Sequence, residues 1–333
     1  MQEDAAANIA ISNEKVLIII TRIIVYGCMR RQDSMKEMTI FDGDPGTDDA
    51  IAIKLLSLSS REPQWCISTF GNMTWDYTCL NMHLLSRAFG MKSRVACGIH
   101  EPFDGQTVAC GDFHGPDGLG GTAESLMQKF GIKKNIIDSS SSIADIAQAI
   151  LSSENVTYIV TGPLSTLAYL LSDYPDTESH IGRVYIMGGG VREFNKDGDR
   201  EYNFAGDGIA VKKVFSSSLD ITLFPLDISH HFAILTPQQI ESIDCTSMPF
   251  LHEVMNTNCR SNIDSGLPGA VLHDALPVLY LLEPEKFKVE DMAFATDNTG
   301  RIWLSESGKK VHVAVSCPEN LLYERVKGAI EGK

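Results

Sequence analysis

One stretch constrains the rest of the chain: residues 38–58, MTIFDGDPGTDDAIAIKLLSL. Met38 to Phe41 is an apolar run with the length of a buried strand. Four acids follow, Asp42, Asp44, Asp48 and Asp49, with the turn dipeptide Pro45-Gly46 between them. Ala50 to Leu56 then has the length and propensity of a helix. A strand that passes through an acidic turn straight into a helix suits an open α/β sheet, and such sheets bind ligands at the strand ends. Carboxylates this close repel one another, and a hard cation with oxygen ligands, Ca²⁺ or Mg²⁺, relieves that repulsion. A metal-free reading is a solvated turn with Thr47 as N-cap and Asp48 and Asp49 at the positive helix end. It accounts for Asp48 and Asp49 but not for Asp42 and Asp44.

At 333 residues and 44% hydrophobic, the chain can bury a sizeable core. Its net charge of −15 argues against a nucleic-acid backbone or an anionic membrane as partner. The cysteines (Cys28, Cys66, Cys79, Cys97, Cys110, Cys245, Cys259 and Cys317) are scattered without a C-x-x-C pair. Reduced thiols in a cytoplasmic protein are the expectation. Residues 1–37 read as an N-terminal extension outside the fold, with translation starting at Met29, Met35 or Met38 as one explanation. The apolar run from Val16 to Tyr26 is broken by Arg22 and falls short of the about 20 residues that span a bilayer. Glu3 and Asp4 ahead of it do not suit a secretory leader.

Beyond the opening unit, strands and helices alternate. Residues 64–72 read as a strand ending at Gly71-Asn72, and residues 73–90 as a helix. Glycines recur from Gly98 to Gly121, making a flexible loop. It has no Lys before Lys129 and so does not suit a phosphate-cradling loop. A Ser-capped helix is expected over residues 139–154. A strand follows from Val156 to Val160, then Thr161-Gly162-Pro163-Leu164, with Pro163 suited to the first turn of a helix from Ser165 to Leu171. Val184 to Met187 is a strand ending in Gly188-Gly189-Gly190. Ile221 to Leu226 is another, leading to Asp227 and the pair His230 and His231. That pair lacks ligand spacing and reads as surface or core histidines. Residues 249–265 form a helix carrying Asn258, Arg260 and Asn262, without an assignable role. His273-Asp274 opens a further helix. Residues 293–305 and 310–316 suggest a hairpin around Asp297 to Gly300, and residues 319–330 a closing amphipathic helix.

The run D-x-D-P-G-x-D-D-A at Asp42 to Ala50 resembles the N-terminal signature of the nucleoside hydrolases, the inosine-uridine-preferring N-ribohydrolases. The resemblance extends over about residues 38–330. It takes in Asn72, the loop around His114, T-G-P-L at Thr161, Met187 with Asn195, E-x-N at Glu201 and Asn203, and H-D at His273. It implies an α/β fold with an open, mostly parallel, Rossmann-like central sheet flanked by helices. The active site would lie at the strand C-terminal ends, in a single domain over residues 38–333. It further implies Ca²⁺ held by Asp44, Asp49, the Thr161 carbonyl and Asp274. Asp44 would be the base and His273 the acid for the leaving group. Substrate contacts would come from Asp48, Asn72, Met187, Asn195, Glu201, Asn203 and His114. Some members carry Trp or Cys where His273 stands, and His suggests the broader inosine-uridine type. Homodimers or homotetramers are implied as well. The chain departs from the family at Asp207-Gly208-Ile209-Ala210, where D-P-E-A-A is usual.

The chemistry suits this inventory. An N-glycosidic bond breaks through an oxocarbenium-like sugar, which calls for an activated water and a protonated leaving group. Two other classes compete. A phosphohydrolase would use Asp42 or Asp44 as nucleophile. The haloacid-dehalogenase-like loop D-x-D-G-T/V fits poorly, because Pro45 and Gly46 stand at its Gly and Thr positions. A non-catalytic nucleoside- or Ca²⁺-binding protein on the same fold would need no proton donor.

Overall fold

The computed structural model describes residues 37–106, 112–134 and 140–332. The expected N-terminal extension lies outside these residues except for Glu37, and Cys28 and Cys110 lie outside them as well. The opening unit forms as its pattern dictates. Strand β1 (Glu37–Gly43) carries Ile40 and Phe41, both fully buried on opposite sides of the sheet. Burial on both faces is what a central parallel strand requires. The helix Thr47–Ser57 follows, buried from Thr47 through Leu56.

Strands β2 (Trp65–Ser68), β3 (Arg94–Cys97), β4 (Asn155–Val160), β5 (Ile181–Met187) and β6 (Ile221–Phe224) complete the parallel core. A short pair, β7 (Ile234–Leu235) and β8 (Ala270–Val271), stands apart from it. The last three strands, β9 (Lys288–Thr296), β10 (Ile302–Leu304) and β11 (Lys309–Ser316), join the main sheet. The order is β10-β9-β11-β6-β5-β4-β1-β2-β3. From β3 to β6 every neighbour is parallel, and β11 continues parallel to β6. The chain runs outward from β1 to β3 and restarts at β4 on the other side of β1. That reversal opens a crevice at the C-terminal ends of β1 and β4. Apolar cores cover both faces of the sheet. No helix among the described residues is long and apolar enough to cross a membrane.

Several local expectations change. Gly46, not Thr47, is the N-cap of the first helix, and the Asp49 carboxylate reaches back to accept from the Gly46 N–H at 2.9 Å. Pro163 precedes the N-cap Leu164 of its helix, Ser165–Asp173, rather than opening it. The strand from Ile221 stops at Phe224. Asp227 to His231 lie on the short helix Leu226–Phe232. The expected late hairpin becomes three strands with β9 in the middle, pairing antiparallel with β10 on one side and β11 on the other. Asp207 still caps the helix Gly208–Phe215 by accepting from the Ala210 N–H at 3.0 Å, so the departure from D-P-E-A-A preserves the cap. Cys79 and Cys97 are joined, against the expectation of thiols throughout, while Cys66, Cys245, Cys259 and Cys317 are free and buried.

Candidate active site

The crevice between β1 and β4 is floored by carboxylates. One oxygen from each of Asp48, Asp49 and Asp274 lies within 4.8 Å of the others, and all three residues are buried. Asp48 and Asp49 come from the first turn after β1, and Asp274 is the N-cap of the helix Ala275–Leu282. Thr161, just past β4, donates through Oγ1 to Asp49 Oδ1 at 2.8 Å. Asn72, just past β2, donates its N–H to Asp44 Oδ2 at 2.7 Å and its amide to Asp49 Oδ2 at 3.3 Å. The group of three thus contains Asp48, expected as a sugar contact, and not Asp44. Asp44 lies beside it, where Asp49 and Asp48 both act on its charge.

Glycines let these groups approach. A Cβ on Gly43 would stand 2.6 Å from both Asp49 Oδ1 and Thr161 Oγ1, and one on Gly162 would stand 2.8 Å from Asp44 Oδ1. One on Gly71 would overlap Asp44 Oδ2.

Crowding and burial both oppose ionisation here. Asp48 is pushed up to about 7, by burial first and then by Asp49. Burial and the neighbouring acids hold Asp44 and Asp274 well above the usual carboxylate range, and burial raises Asp49. Asp44 Oδ1 and Asp48 Oδ1 are buried without a hydrogen-bond donor among the described residues. Buried oxygens left bare beside further carboxylates form the hard-oxygen donor set that a divalent cation satisfies. The residues present fit such an ion. Asp42 belongs elsewhere: it accepts from Thr69 Oγ1 at 2.8 Å and Tyr158 OH at 2.9 Å, and burial pushes it up to about 7.

Above the floor is a cavity of about 490 Å³. Every residue that the family resemblance gives a site role lines it except Asp44 and Asp49, which lie fully buried. Glu201 also caps the helix Tyr202–Gly206, accepting from the Asn203, Phe204 and Gly189 N–H groups at 2.8–3.0 Å. Asn203 Nδ2 donates to the Thr161 carbonyl at 2.9 Å, and Asn195 Oδ1 accepts from the Tyr202 N–H at 2.9 Å. Met187, at the end of β5, has its sulfur 3.4 Å from Asn203 Nδ2.

Three histidines share the wall. His114 Nδ1 accepts from the Thr47 N–H at 3.1 Å, and burial lowers its pKa to about 4. His273 Nδ1 meets Ser229 Oγ at 2.8 Å. Burial first, then His230 and His114, lower His273 to about 3, so it does not titrate near neutrality in the free site. His230 is the residue sequence reasoning missed. Its ring centroid is 5.6 Å from that of His273, and its Nδ1 is 3.4 Å from Glu193 Oε2. Its neighbour His231 is exposed, and the short helix turns the two apart. Only knowledge of that helix could have separated them. Glu193, Tyr202 and Asn262 also line the cavity and carried no assigned role. No Lys or Arg lines it among the described residues.

A cavity at the switch point of a doubly wound sheet, floored by acids and walled by amides and imidazoles, is the ligand-binding arrangement of an open α/β fold. Residues 39–324 match the family described as inosine-uridine preferring nucleoside hydrolase. The chain belongs to this family of enzymes acting on N-glycosyl bonds. It is 28% identical over 278 residues to the inosine-uridine preferring nucleoside hydrolase of Crithidia fasciculata, covering 81% of this chain and 86% of that one. It is 27% identical over 273 residues to the pyrimidine-specific ribonucleoside hydrolase RihB of Escherichia coli strain K12, covering 80% and 85%. The plant nucleoside hydrolase PpNRh1 shares its fold with a TM-score of 0.78 at 22% identity, over 90% of this chain and 100% of that one. The purine-preferring ribonucleoside hydrolase of Gardnerella vaginalis does so with a TM-score of 0.77 at 22% identity and the same coverage.

Proposed function

We propose that this chain hydrolyses ribonucleosides of the inosine-uridine type to free base and ribose, depends on Ca²⁺, and serves nucleoside salvage. The observation that carries the reading is the buried carboxylate floor, with two bare oxygens, beneath a cavity walled by amides and imidazoles. The names of the Crithidia and Escherichia relatives, which span inosine, uridine and pyrimidine ribonucleosides, support the substrate class. Held by Asp44, Asp49, Asp274 and the Thr161 carbonyl, Ca²⁺ would supply the positive charge that relieves these acids and a Lewis acid at the strand ends. Asp44 takes the proton of the attacking water, its bare Oδ1 being free to receive it. Asp48, Asn72, Glu201 and Asn203 hold the ribose hydroxyls, with Met187 and Asn195 beside them. His114, on its glycine-rich loop, covers the nucleoside and excludes water from the cationic sugar. His273, anchored through Nδ1 by Ser229, is the acid for the departing base; because it is neutral in the free site, it takes up that proton only with the nucleoside bound, as negative charge develops beside it. A homodimer or homotetramer completes the proposal on the family resemblance alone, and a cytoplasmic location rests on the scattered cysteines.

The test is reducing-sugar release from inosine, uridine and guanosine, with and without a Ca²⁺ chelator. Ribose released from at least one, lost on chelation and restored by Ca²⁺, is the expected result. Nucleoside that binds without any release of ribose would overturn the reading in favour of a non-catalytic binding protein. Release of phosphate from a phosphorylated substrate instead would favour a phosphohydrolase.

A further inference from the structure

Thr47 is fully buried and does not cap its helix, so its hydroxyl is free for another use. That use is the ring of His114. The Thr47 N–H donates to His114 Nδ1 at 3.1 Å, and Thr47 Oγ1 lies 2.8 Å from the same nitrogen. A backbone N–H can only donate, so Nδ1 is an acceptor and the ring proton sits on Nε2. Asn258 then fixes the hydroxyl, since its Nδ2 donates to Thr47 Oγ1 at 3.1 Å. Nδ1 being unprotonated, the Thr47 hydroxyl hydrogen also faces it, and the hydroxyl and the Thr47 N–H share its single lone pair. Asn262, one turn further along the helix Pro249–Asp264, fixes Asn258 in turn. Its Nδ2 donates to Asn258 Oδ1 at 2.8 Å and to the Asn258 carbonyl at 2.9 Å. That contact identifies the Asn258 oxygen and leaves Nδ2 for Thr47. Every bond in the chain therefore has one polarity, from Asn262 through Asn258 and Thr47 to His114. Asn258 and Asn262 are both buried, so water does not substitute for these partners. Ser261 on the same helix donates to the Phe113 carbonyl at 2.6 Å, pinning the loop next to His114. His114 Nε2 makes no hydrogen bond to the described residues, and the ring forms part of the cavity wall.

We propose that Thr47, Asn258 and Asn262 are positioning residues that hold His114 as a hydrogen-bond donor, through Nε2, to an uncharged acceptor on the bound nucleoside. The inference rests on the nucleoside reading above. The chain links the first helix to the loop and to the helix Pro249–Asp264, so substrate contact at His114 depends on Thr47 and Asn258, which do not line the cavity, and on Asn262, which does.

The experiment compares Thr47→Val, Thr47→Ser, Asn258→Ala and the unsubstituted full chain. Steady-state hydrolysis of inosine and 5′-deoxyinosine, thermal melting and ¹⁵N-imidazole NMR are read for each. Loss of one buried neutral hydrogen bond predicts a KM about five- to tenfold higher for Thr47→Val and Asn258→Ala, with kcat within about twofold. Thr47→Ser restores KM, because it keeps the hydroxyl. If the penalty vanishes with 5′-deoxyinosine the acceptor is the sugar 5′-oxygen, and if it persists the acceptor is on the base. Both outcomes support the inference. A lowered melting temperature with unchanged KM, or no restoration by Thr47→Ser, would overturn it as mere packing. The NMR arm is independent of turnover: a His114 proton on Nδ1 in the unsubstituted protein overturns the inference whatever the activity. A chain with Nε2–H at His114 that releases no ribose would overturn the hydrolase reading and leave the positioning chain intact.

Discussion

Protons and a divalent cation compete for the same oxygens in this floor, and the competition has a predictable size. The perturbation is titration of the chelator-stripped protein with CaCl₂ at pH 5, 6, 7 and 8. Asp48 titrates at about 7, and Asp44, Asp49 and Asp274 are raised as well. Below that pH at least one proton must leave before a cation can be held, and each such proton weakens binding about tenfold per pH unit. The apparent Kd for Ca²⁺ should therefore fall at least about fiftyfold from pH 5 to pH 7. Stability follows with the opposite sign in the stripped protein. These carboxyls keep protons in the folded state that the unfolded chain has already released. Between the ordinary carboxylate value of 3.8 and about 7 the folded state binds more protons, so stability falls as pH rises through that window and stays low above it. Ca²⁺ should raise the melting temperature most at pH 8 and least at pH 5. Calorimetric titration and thermal melts measure the two quantities. A Kd equal within about twofold at pH 5 and pH 7 would refute the competition, as would melts that Ca²⁺ leaves unmoved at pH 8.

Asp44→Ala should lower the rate of ribose release by at least about a thousandfold, since it removes a base and a cation ligand together; a merely tenfold loss in the same assay would reject that double role. His273→Ala should cost less, and by an amount that varies among inosine, uridine and guanosine, because bases differ in their need for a proton. An equal loss for every base would argue against His273 as the acid. Gly162→Ala puts a methyl 2.8 Å from Asp44 Oδ1, a clash that core overpacking prices at about 1–3 kcal/mol. Its expected signature is weakened Ca²⁺ binding by calorimetry with an unchanged far-ultraviolet dichroism spectrum, and unaltered Ca²⁺ affinity would show that the floor can relax around the methyl.

The elements legible from the sequence are those whose causes are local. The apolar run before Pro45-Gly46, the Ser-capped helix Ile143–Leu151 and the strand before Thr161 each depend on neighbours a few residues away. The same locality made Asp44, Asp48 and Asp49 visible as one acidic group, whereas Asn72, Asn203 and His273 stood out only through the family motifs they match. Tertiary structure alone decided which strands lie side by side. Burial of both faces and the crossover from β3 to β4 bring the ends of β1 and β4 together and set Asp274 against Asp48 and Asp49. Such pairings between distant segments have no local signal. For the same reason Thr47 read as a cap when the contact that occupies it comes from His114 and Asn258. His230 read as structural because its place in the wall depends on a helix of a few residues packed against the His273 turn. Composition and pattern determined that this chain would build a parallel sheet with acids at a strand end. Packing between segments far apart in sequence determined which of its polar side chains face one another across the cavity.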